Sequence, residues 1–219
     1  MSAKVLLVAN QKGGAGKTTL TSTLAVEAVR RGARVLMVDL DPQQSLRSWW
    51  NRREAKAPMM LDEDPAPDDV PAVIGRAATH FDFVIIDTPP ATPDWLRRLA
   101  EAADLTLIPV KPSFFDLGAA GATVGRIGGR PWAFVLVETE GSRSVAADLA
   151  RKELAQHGRI APAELTKRSA YRVVIAGGQT AAETNGAASH DAGALGSWVW
   201  NEIEAPWRTP TPAKKGMTL

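Results

Sequence analysis

The chain has 219 residues, of which 45% are hydrophobic and 23% are charged, a balance typical of one water-soluble α/β domain with its own core. The formal net charge is only +2, which excludes a global basic field for nucleic acid, so any such site has to be a local patch. The absence of cysteine excludes disulfides, thiolate metal sites and cysteine nucleophiles, and it is compatible with a cytoplasmic protein. No apolar run reaches about 18 residues, so we expect no membrane span.

Short apolar runs alternate with helical patterns along the chain, which is typical of βαβ units around a mainly parallel sheet. The predicted strands are residues 4–9, 34–39, 83–87, 105–110 and 132–137. The predicted helices are residues 17–31, 69–79, 143–157 and 194–204, with a surface loop at 56–71. The sequence therefore predicts a doubly wound α/β fold with helices on both faces, as one domain over residues 1–205, followed by a flexible tail at 206–219.

Apolar residues that recur at helical spacing predict which side chains face the core. Leu20, Leu24 and Ala28 recur at four-residue spacing in the first helix, which Gly32 ends. In the two later helices we expect the inner faces to consist of Val145, Leu149 and Leu154, and of Leu195, Trp198, Val199 and Ile203. Most of the seven tryptophans are expected to pack inside, while exposed ones could anchor a protein partner.

Residues 5–19 combine an apolar strand, a glycine loop and a helix start, in the order of a phosphate-binding loop. Glycines allow backbone N–H groups to converge on phosphates, Lys17 would reach the β- and γ-phosphates, and the Thr18 hydroxyl would bind Mg²⁺. Gln11 replaces the first glycine of the standard pattern, which makes an ordinary glycine turn the alternative. We expect nucleotide contacts from Lys12, Gly13, Gly14, Ala15, Gly16, Lys17, Thr18 and Thr19.

Four motifs resemble those of the ParA/MinD class of ATPases. Residues 12–19 resemble its deviant Walker A loop, and residues 39–43 its next signature. Residues 83–90 resemble its Walker B strand and switch, and residues 108–113 its nucleotide-base loop. The resemblance implies a P-loop ATPase with ATP and Mg²⁺ as cofactors, and a homodimer when ATP is bound. Because the first predicted strand starts at residue 4, the chain resembles the short branch without an N-terminal helix-turn-helix domain.

The resemblance also assigns roles to three catalytic residues. Lys12 would reach across the two-fold interface to the partner's nucleotide, whereas a solvated loop lysine is the alternative. Lys17 would bind the phosphates, and Asp41 would position the attacking water. Asp39 would support the metal or that water, although either aspartate could simply cap the turn before Pro42.

Asp87 ends an apolar strand, and a carboxylate there lies at the edge of the sheet where ligands bind in open α/β folds. We therefore expect Asp87 to hold Mg²⁺ together with Thr18 and Asp39. Residues 88–91 would form the second switch. Pro112 would border the adenine, or would simply form a turn after its strand.

The C-terminal half is locally basic, and relatives of the ParA type bind DNA without sequence preference through such residues. The candidates are Lys152, Lys167, Arg168 and Arg172, although scattered solvated charges would look the same. The resemblance implies a nucleoid-associated ATPase that partitions plasmid or chromosomal DNA, with a centromere-binding partner protein and no membrane. A protein that positions a non-DNA cargo and a metabolic enzyme of the same fold, such as an amidoligase, remain open.

Overall fold

The computed structural model describes residues 3–91, 94–128, 130–141 and 144–204. Its strands all pair in parallel, in the order β3-β2-β4-β1-β5-β6-β7. The strands are β1 Lys4–Val8, β2 Val35–Asp39, β3 Met59–Met60, β4 Phe83–Asp87, β5 Leu105–Val110, β6 Trp132–Thr139 and β7 Leu165–Thr166. This sheet confirms the predicted fold class.

Helices cover both faces of the sheet. They are α1 Lys17–Arg30, α2 Ser45–Asn51, α3 Val70–Ala77, α4 Trp95–Ala102, α5 Phe114–Ile127, α6 Val145–Ala155, α7 Ser169–Ala176 and α8 Ala187–Glu204. Short 3₁₀ turns occupy Pro67–Asp69 and Ala181–Glu183. In the part of the chain that the structure describes, no helix is both long and apolar enough to cross a bilayer.

The strands bury side chains on both faces because neighbouring residues of a strand point to opposite sides. In β1, Leu6 and Val8 face a core shared with α1 and α8, whereas Val5 and Leu7 face a core shared with α3 to α6. This two-sided burial explains why the strand sequences are continuously apolar and do not alternate between apolar and polar residues.

The sheet register brings three functional segments together at one edge. Asp87 pairs in register with Val8, which leads into the glycine loop, and also with Asp39 at the end of β2. Since all three strands run in parallel, their carboxyl ends lie side by side. The loop after β1 therefore faces both aspartates directly.

The predicted inner face of α6 is confirmed for Leu154 but was wrong for Val145 and Leu149. Val145 and Leu149 are 73% and 61% exposed, and the residues that face the core are Ala147, Ala150 and Leu154. The reason is helical phase: at about 100° per residue, Val145 lies nine positions from Leu154 and points in the opposite direction. In α8 the prediction held, because Leu195, Val199 and Ile203 are buried and Trp198 packs against the same core.

Several short elements were not predicted. The strands β3 and β7 have two residues each, too few for a periodic signal, and β3 lies inside the predicted loop at 56–71. The tryptophan prediction is confirmed for Trp49 and Trp132, which are 3% and 5% exposed. Trp207 and the predicted tail at 206–219 lie outside the described residues.

Candidate nucleotide-binding site

The glycine loop is held open by backbone conformations that favour glycine. Gly14 and Gly16 have φ angles of 68° and 90°, in the left-handed region. At Gly16 a Cβ atom would also lie 3.2 Å from Cγ2 of Val137. Asn10 anchors the loop, because its Nδ2 donates to the Pro109 carbonyl at 2.7 Å and its Oδ1 accepts from the Lys12 N–H at 2.9 Å.

Lys17 opens α1, and its ammonium group is placed inside the site. The residue is only 7% exposed, and its Nζ donates to the Lys12 carbonyl at 3.3 Å. Burial lowers the pKa of Lys17, and the carboxylates of Asp87 and Asp41 partly oppose this effect. A desolvated cation at the start of a helix is well suited to bind the phosphates of a nucleotide.

Asp87 is the most deeply buried carboxylate of the site, at 1% exposure. It accepts hydrogen bonds from the hydroxyls of Thr18 at 2.7 Å and Thr21 at 3.5 Å. Burial raises the pKa of Asp87 to about 7; the Thr18 hydroxyl opposes the shift, and the nearby Asp39 carboxylate adds to it. A carboxylate in such surroundings is stabilised by a cation.

The donor set fits Mg²⁺ bound jointly by protein and phosphate. No group of three or more His, Cys, Asp or Glu within the described ranges is arranged to hold a metal alone. Magnesium usually keeps several waters and binds through one or two carboxylates plus substrate phosphates, which is the set available here. Thr18, Asp87 and, from the neighbouring strand, Asp39 would therefore hold the ion.

Asp39 and Asp41 are oriented by backbone N–H groups at the start of the segment that leads to α2. Asp39 accepts from the N–H groups of Asp41 at 3.0 Å and Arg47 at 3.1 Å, and Asp41 accepts from that of Gln43 at 2.9 Å. Burial raises the pKa of Asp39, and these N–H groups oppose the shift. The contacts match the turn-capping alternative, and they also point both residues to the edge that carries Asp87.

Lys12 is bound within its own chain rather than solvated in a loop. Its Nζ lies 2.7 Å from Oδ2 of Asp116 in α5, a carboxylate that is 5% exposed. The Ser113 hydroxyl donates to the same oxygen, and Ser113 also caps α5 by accepting from the Asp116 N–H. Sequence analysis did not identify Asp116, because the contact joins segments 104 residues apart.

The predicted second switch lies against the glycine loop. The Thr88 hydroxyl donates to the Val8 carbonyl at 2.9 Å, and the Ala91 N–H donates to the Gln11 carbonyl at 2.9 Å. Ala91 has a φ angle of 111°, which is strained for a residue with a Cβ atom. A conformational change of the glycine loop would therefore be transmitted to residues 88–91 through these hydrogen bonds.

A cavity of about 520 Å³ adjoins the glycine loop on the side of β6 and β7. Gly16, Thr18 and Thr19 form one wall, and Val137, Glu138 and Lys167 are among the residues opposite. Pro112 is not one of the lining residues. The ends of β6 and β7 were missed as site residues, although the rule that ligands bind at the carboxyl edge of such sheets could have identified them.

The predicted DNA-binding residues lie on different elements of the fold. Lys152 is exposed on α6, whose buried face belongs to the core opposite α1. Lys167 and Arg168 line the cavity beside the glycine loop, and Arg168 Nη2 lies 3.3 Å from the Asp191 carboxylate. The side chain of Arg172 lies outside the described residues. The described candidates are thus divided between the two faces of the sheet.

Comparison with known proteins supports the assignment of a nucleotide-binding site at the glycine loop. The chain is 38% identical to the "Maintenance of carboxysome distribution protein A" of Halothiobacillus neapolitanus, in a match that covers 56% of this chain and 57% of the relative. It is 35% identical to the "Chromosome-partitioning ATPase Soj" of Thermus thermophilus, with coverage of 53% and 58%. The chain thus spans a little over half the length of these curated relatives.

Solved structures of the same fold cover nearly the whole chain. An ATP complex of a McdA variant from Cyanothece has a TM-score of 0.71 at 20% identity, covering 95% of this chain and 99% of that one. MinD in the MinC:MinD complex of Aquifex aeolicus has a TM-score of 0.75 at 15% identity, covering 95% and 100%. These identities establish the fold alone. The sequence profile of the CobQ/CobB/MinD/ParA nucleotide-binding domain matches residues 6–186, and the chain belongs to that family.

Proposed function

We propose that this domain binds Mg-ATP at the glycine loop and hydrolyses it as a molecular switch. The observation that carries the proposal is the convergence of Lys17, Thr18 and Asp87 at one edge of the sheet, where the Thr18 hydroxyl contacts the Asp87 carboxylate at 2.7 Å. This arrangement supplies a cation for the phosphates and oxygen ligands for the metal.

Each residue contributes a distinct step. The glycine loop and Lys17 bind and orient the phosphates. Thr18, Asp39 and Asp87 would hold a magnesium ion, which would supply positive charge beside the transferred phosphoryl group. Asp41 orients the attacking water. Residues 88–91 respond when the γ-phosphate leaves, since they are hydrogen-bonded to the loop that binds it.

The cavity beside the loop is the site of the nucleoside. Its volume of about 520 Å³ lies within the usual range for small-ligand pockets, about 300–1,000 Å³. Thr19 and Glu138 line it, whereas Pro112, the predicted neighbour of adenine, does not. Lys167 and Arg168 therefore lie near bound nucleotide, so their positive charges are less available to the phosphates of a DNA duplex.

ATP binding would control association of two copies of the chain. Lys12 would leave Asp116 and reach the nucleotide of the partner, where its charge stabilises the transition state. This requires breaking an ion pair with a nearly buried carboxylate, so the monomeric state has its own stabilising contact. Hydrolysis would return Lys12 to Asp116 and release the partner.

We further propose that the switch positions a cargo, and that the cargo is a protein assembly rather than a DNA molecule. Two relatives at 38% and 39% identity are named for maintaining carboxysome distribution. Partition of DNA is the second candidate, because relatives named ParA and Soj match at 33% and 35%.

The activity is tested by ATP turnover in the absence of any second substrate. Magnesium-dependent phosphate release from ATP alone is expected for a switch. A requirement for a carboxylic acid and an amide donor would instead indicate an amidoligase and overturn the proposal. Binding of a fluorescent ATP analogue, with competition by unlabelled nucleotides, measures the site itself.

DNA binding is tested with two unrelated duplexes, with and without ATP, across a salt series. If the protein contacts DNA phosphates, a plot of log binding constant against log salt concentration should have a slope of roughly −0.9 per phosphate contacted. Tight binding to both duplexes, weakened by charge reversal at Lys152, would favour the hypothesis that the protein partitions DNA. If neither duplex binds at low salt with ATP present, a DNA cargo is excluded and the protein-cargo reading is strengthened.

A further inference from the structure

Two adjacent phenylalanines are almost fully exposed at the start of α5. Phe114 is 85% exposed and Phe115 is 79% exposed, and their rings meet edge to face with centroids 5.7 Å apart. Exposure of two large rings side by side is unfavourable in water, and such patches often mark interaction sites. No described part of the chain covers them to any large extent.

These rings are held in place by the same turn that holds Lys12. Ser113, immediately before them, caps α5, and Asp116, immediately after them, accepts the ion pair from Lys12. The cap holds the backbone of this first turn, so both rings project from a defined place next to Asp116. The apolar pair therefore adjoins the lysine that would cross to a second copy of the chain.

We propose that Phe114 and Phe115 form the apolar centre of the contact with a second copy of this chain in the ATP-bound dimer. The proposal rests on the proposed function, which brings the two phosphate loops face to face. A two-fold contact places the same patch on both partners, and aromatic rings pair well with one another in offset or edge-to-face arrangements.

The available area supports a dimer contact. An aromatic side chain buries about 150–250 Å² when fully covered, so four such rings supply at most roughly 40–60% of a standard interface of about 1,600 Å². The phosphate loops and residues 88–91 on the same edge would supply the remainder. Fully desolvated aromatic side chains near the centre of an interface are frequent hot spots of binding energy.

The pair can be tested without damaging the fold, because both side chains are largely exposed in the single chain. The double variant Phe114→Ser/Phe115→Ser should bind a fluorescent ATP analogue as the wild type does. With a slowly hydrolysed ATP analogue, sedimentation equilibrium should give a dimer dissociation constant at least about tenfold higher. Phe114→Leu/Phe115→Leu keeps apolar area and should retain most of the dimer.

Met59→Ser is the matched control. Met59 is 54% exposed on β3, at the opposite edge of the sheet from β7 and separated from β5 by three strands, so its replacement should leave dimerisation unchanged. Circular dichroism verifies folding of every variant. Each variant is compared with wild type at equal occupancy by the analogue.

The outcomes separate this inference from the proposed function. If wild type stays monomeric with saturating analogue, the nucleotide-dependent dimer itself is overturned. If wild type dimerises and the double serine variant dimerises equally well, only the role of the phenylalanines is overturned. Normal dimerisation combined with loss of stimulation by a partner protein would assign the rings to that partner, and this too contradicts the proposal.

Discussion

Nζ of Lys12 lies 2.7 Å from Oδ2 of Asp116, so the lysine expected to act on a partner's nucleotide is bound by its own domain in the single chain. Asp116 is nearly buried, and its Oδ1 has no hydrogen-bond partner among the residues that the structure describes. Withdrawal of Lys12 would leave this carboxylate without its cation. In the proposed dimer this contact would therefore compete with the contact of Lys12 to the partner's nucleotide.

Lys12→Ala should retain ATP binding but lose turnover and ATP-dependent dimerisation, because the ammonium acts on the nucleotide of the other copy. Light scattering with a slowly hydrolysed ATP analogue measures the dimer, and phosphate release measures turnover. A normal dimer with normal turnover would exclude the role in trans.

Asp116→Asn should promote the dimer, because asparagine keeps the shape of the side chain but holds the Lys12 ammonium less strongly. Each copy of a two-fold dimer releases one such pair, so weakening each pair by about 1 kcal/mol favours the dimer by about 2 kcal/mol, a roughly 30-fold tighter dimer. Sedimentation at limiting ATP analogue measures the shift. A weaker dimer would instead show that Asp116 is needed in the assembled state.

Lys17→Ala should reduce affinity for ATP by about 100-fold or more, since a charge-assisted contact to phosphate in a buried site is lost. Titration with a fluorescent ATP analogue measures the loss. Lys4→Ala is the control, because Lys4 pairs with Asp104 at the other end of β1 and should leave affinity unchanged. Unchanged affinity in Lys17→Ala would exclude the phosphate-loop assignment.

Asp41→Asn separates the two roles of Asp41. Asparagine can still accept from the Gln43 N–H and so keeps the turn, but it cannot orient water as a carboxylate does. We expect ATP binding within a fewfold of wild type and a fall in kcat of about 10²–10⁴. Wild-type turnover would leave Asp41 with the turn role alone and move water positioning to Asp39.

Glu183→Ala should destabilise the domain by about 2–3 kcal/mol, because it leaves the buried Arg53 guanidinium without its carboxylate. Arg53 is 5% exposed and would keep its hydrogen bonds to carbonyls, such as that of Gly178, and its position 4.9 Å above the Trp49 ring, but no carboxylate. Glu63→Ala is the control: its pair with Arg76 is exposed on both sides and should contribute less than about 1 kcal/mol. Urea unfolding measures both.

The stability contributed by Glu183 should also depend on pH. Burial tends to raise the pKa of Glu183, but hydrogen bonds from Arg53 and from the Thr180 N–H outweigh it, and the pKa is lowered from 4.5. A lowered carboxyl pKa contributes stability that is complete above 4.5 and is lost as pH falls through the folded value. The difference in unfolding free energy between wild type and Glu183→Gln should therefore shrink below pH 4.5; a constant difference would contradict the assignment.

Local patterns in the sequence determined the fold class and the phosphate loop. Continuous apolar runs predicted five of the seven strands, and the order strand, glycines, Lys17, Thr18 and helix predicted the loop. These features depend on neighbouring residues only, since φ preferences and side-chain direction are local properties. Asp87 was predicted for a related reason, because the carboxyl end of any parallel strand reaches the ligand-binding edge.

Only the tertiary structure decided which distant segments meet. The order of the strands places Asp39 in register with Asp87, and it places Asp116 beside Lys12. It also places Lys167 in the wall of the cavity beside the glycine loop. Periodicity along the chain carries no information about which strand becomes a neighbour, because that choice is made by burial of whole faces against one another.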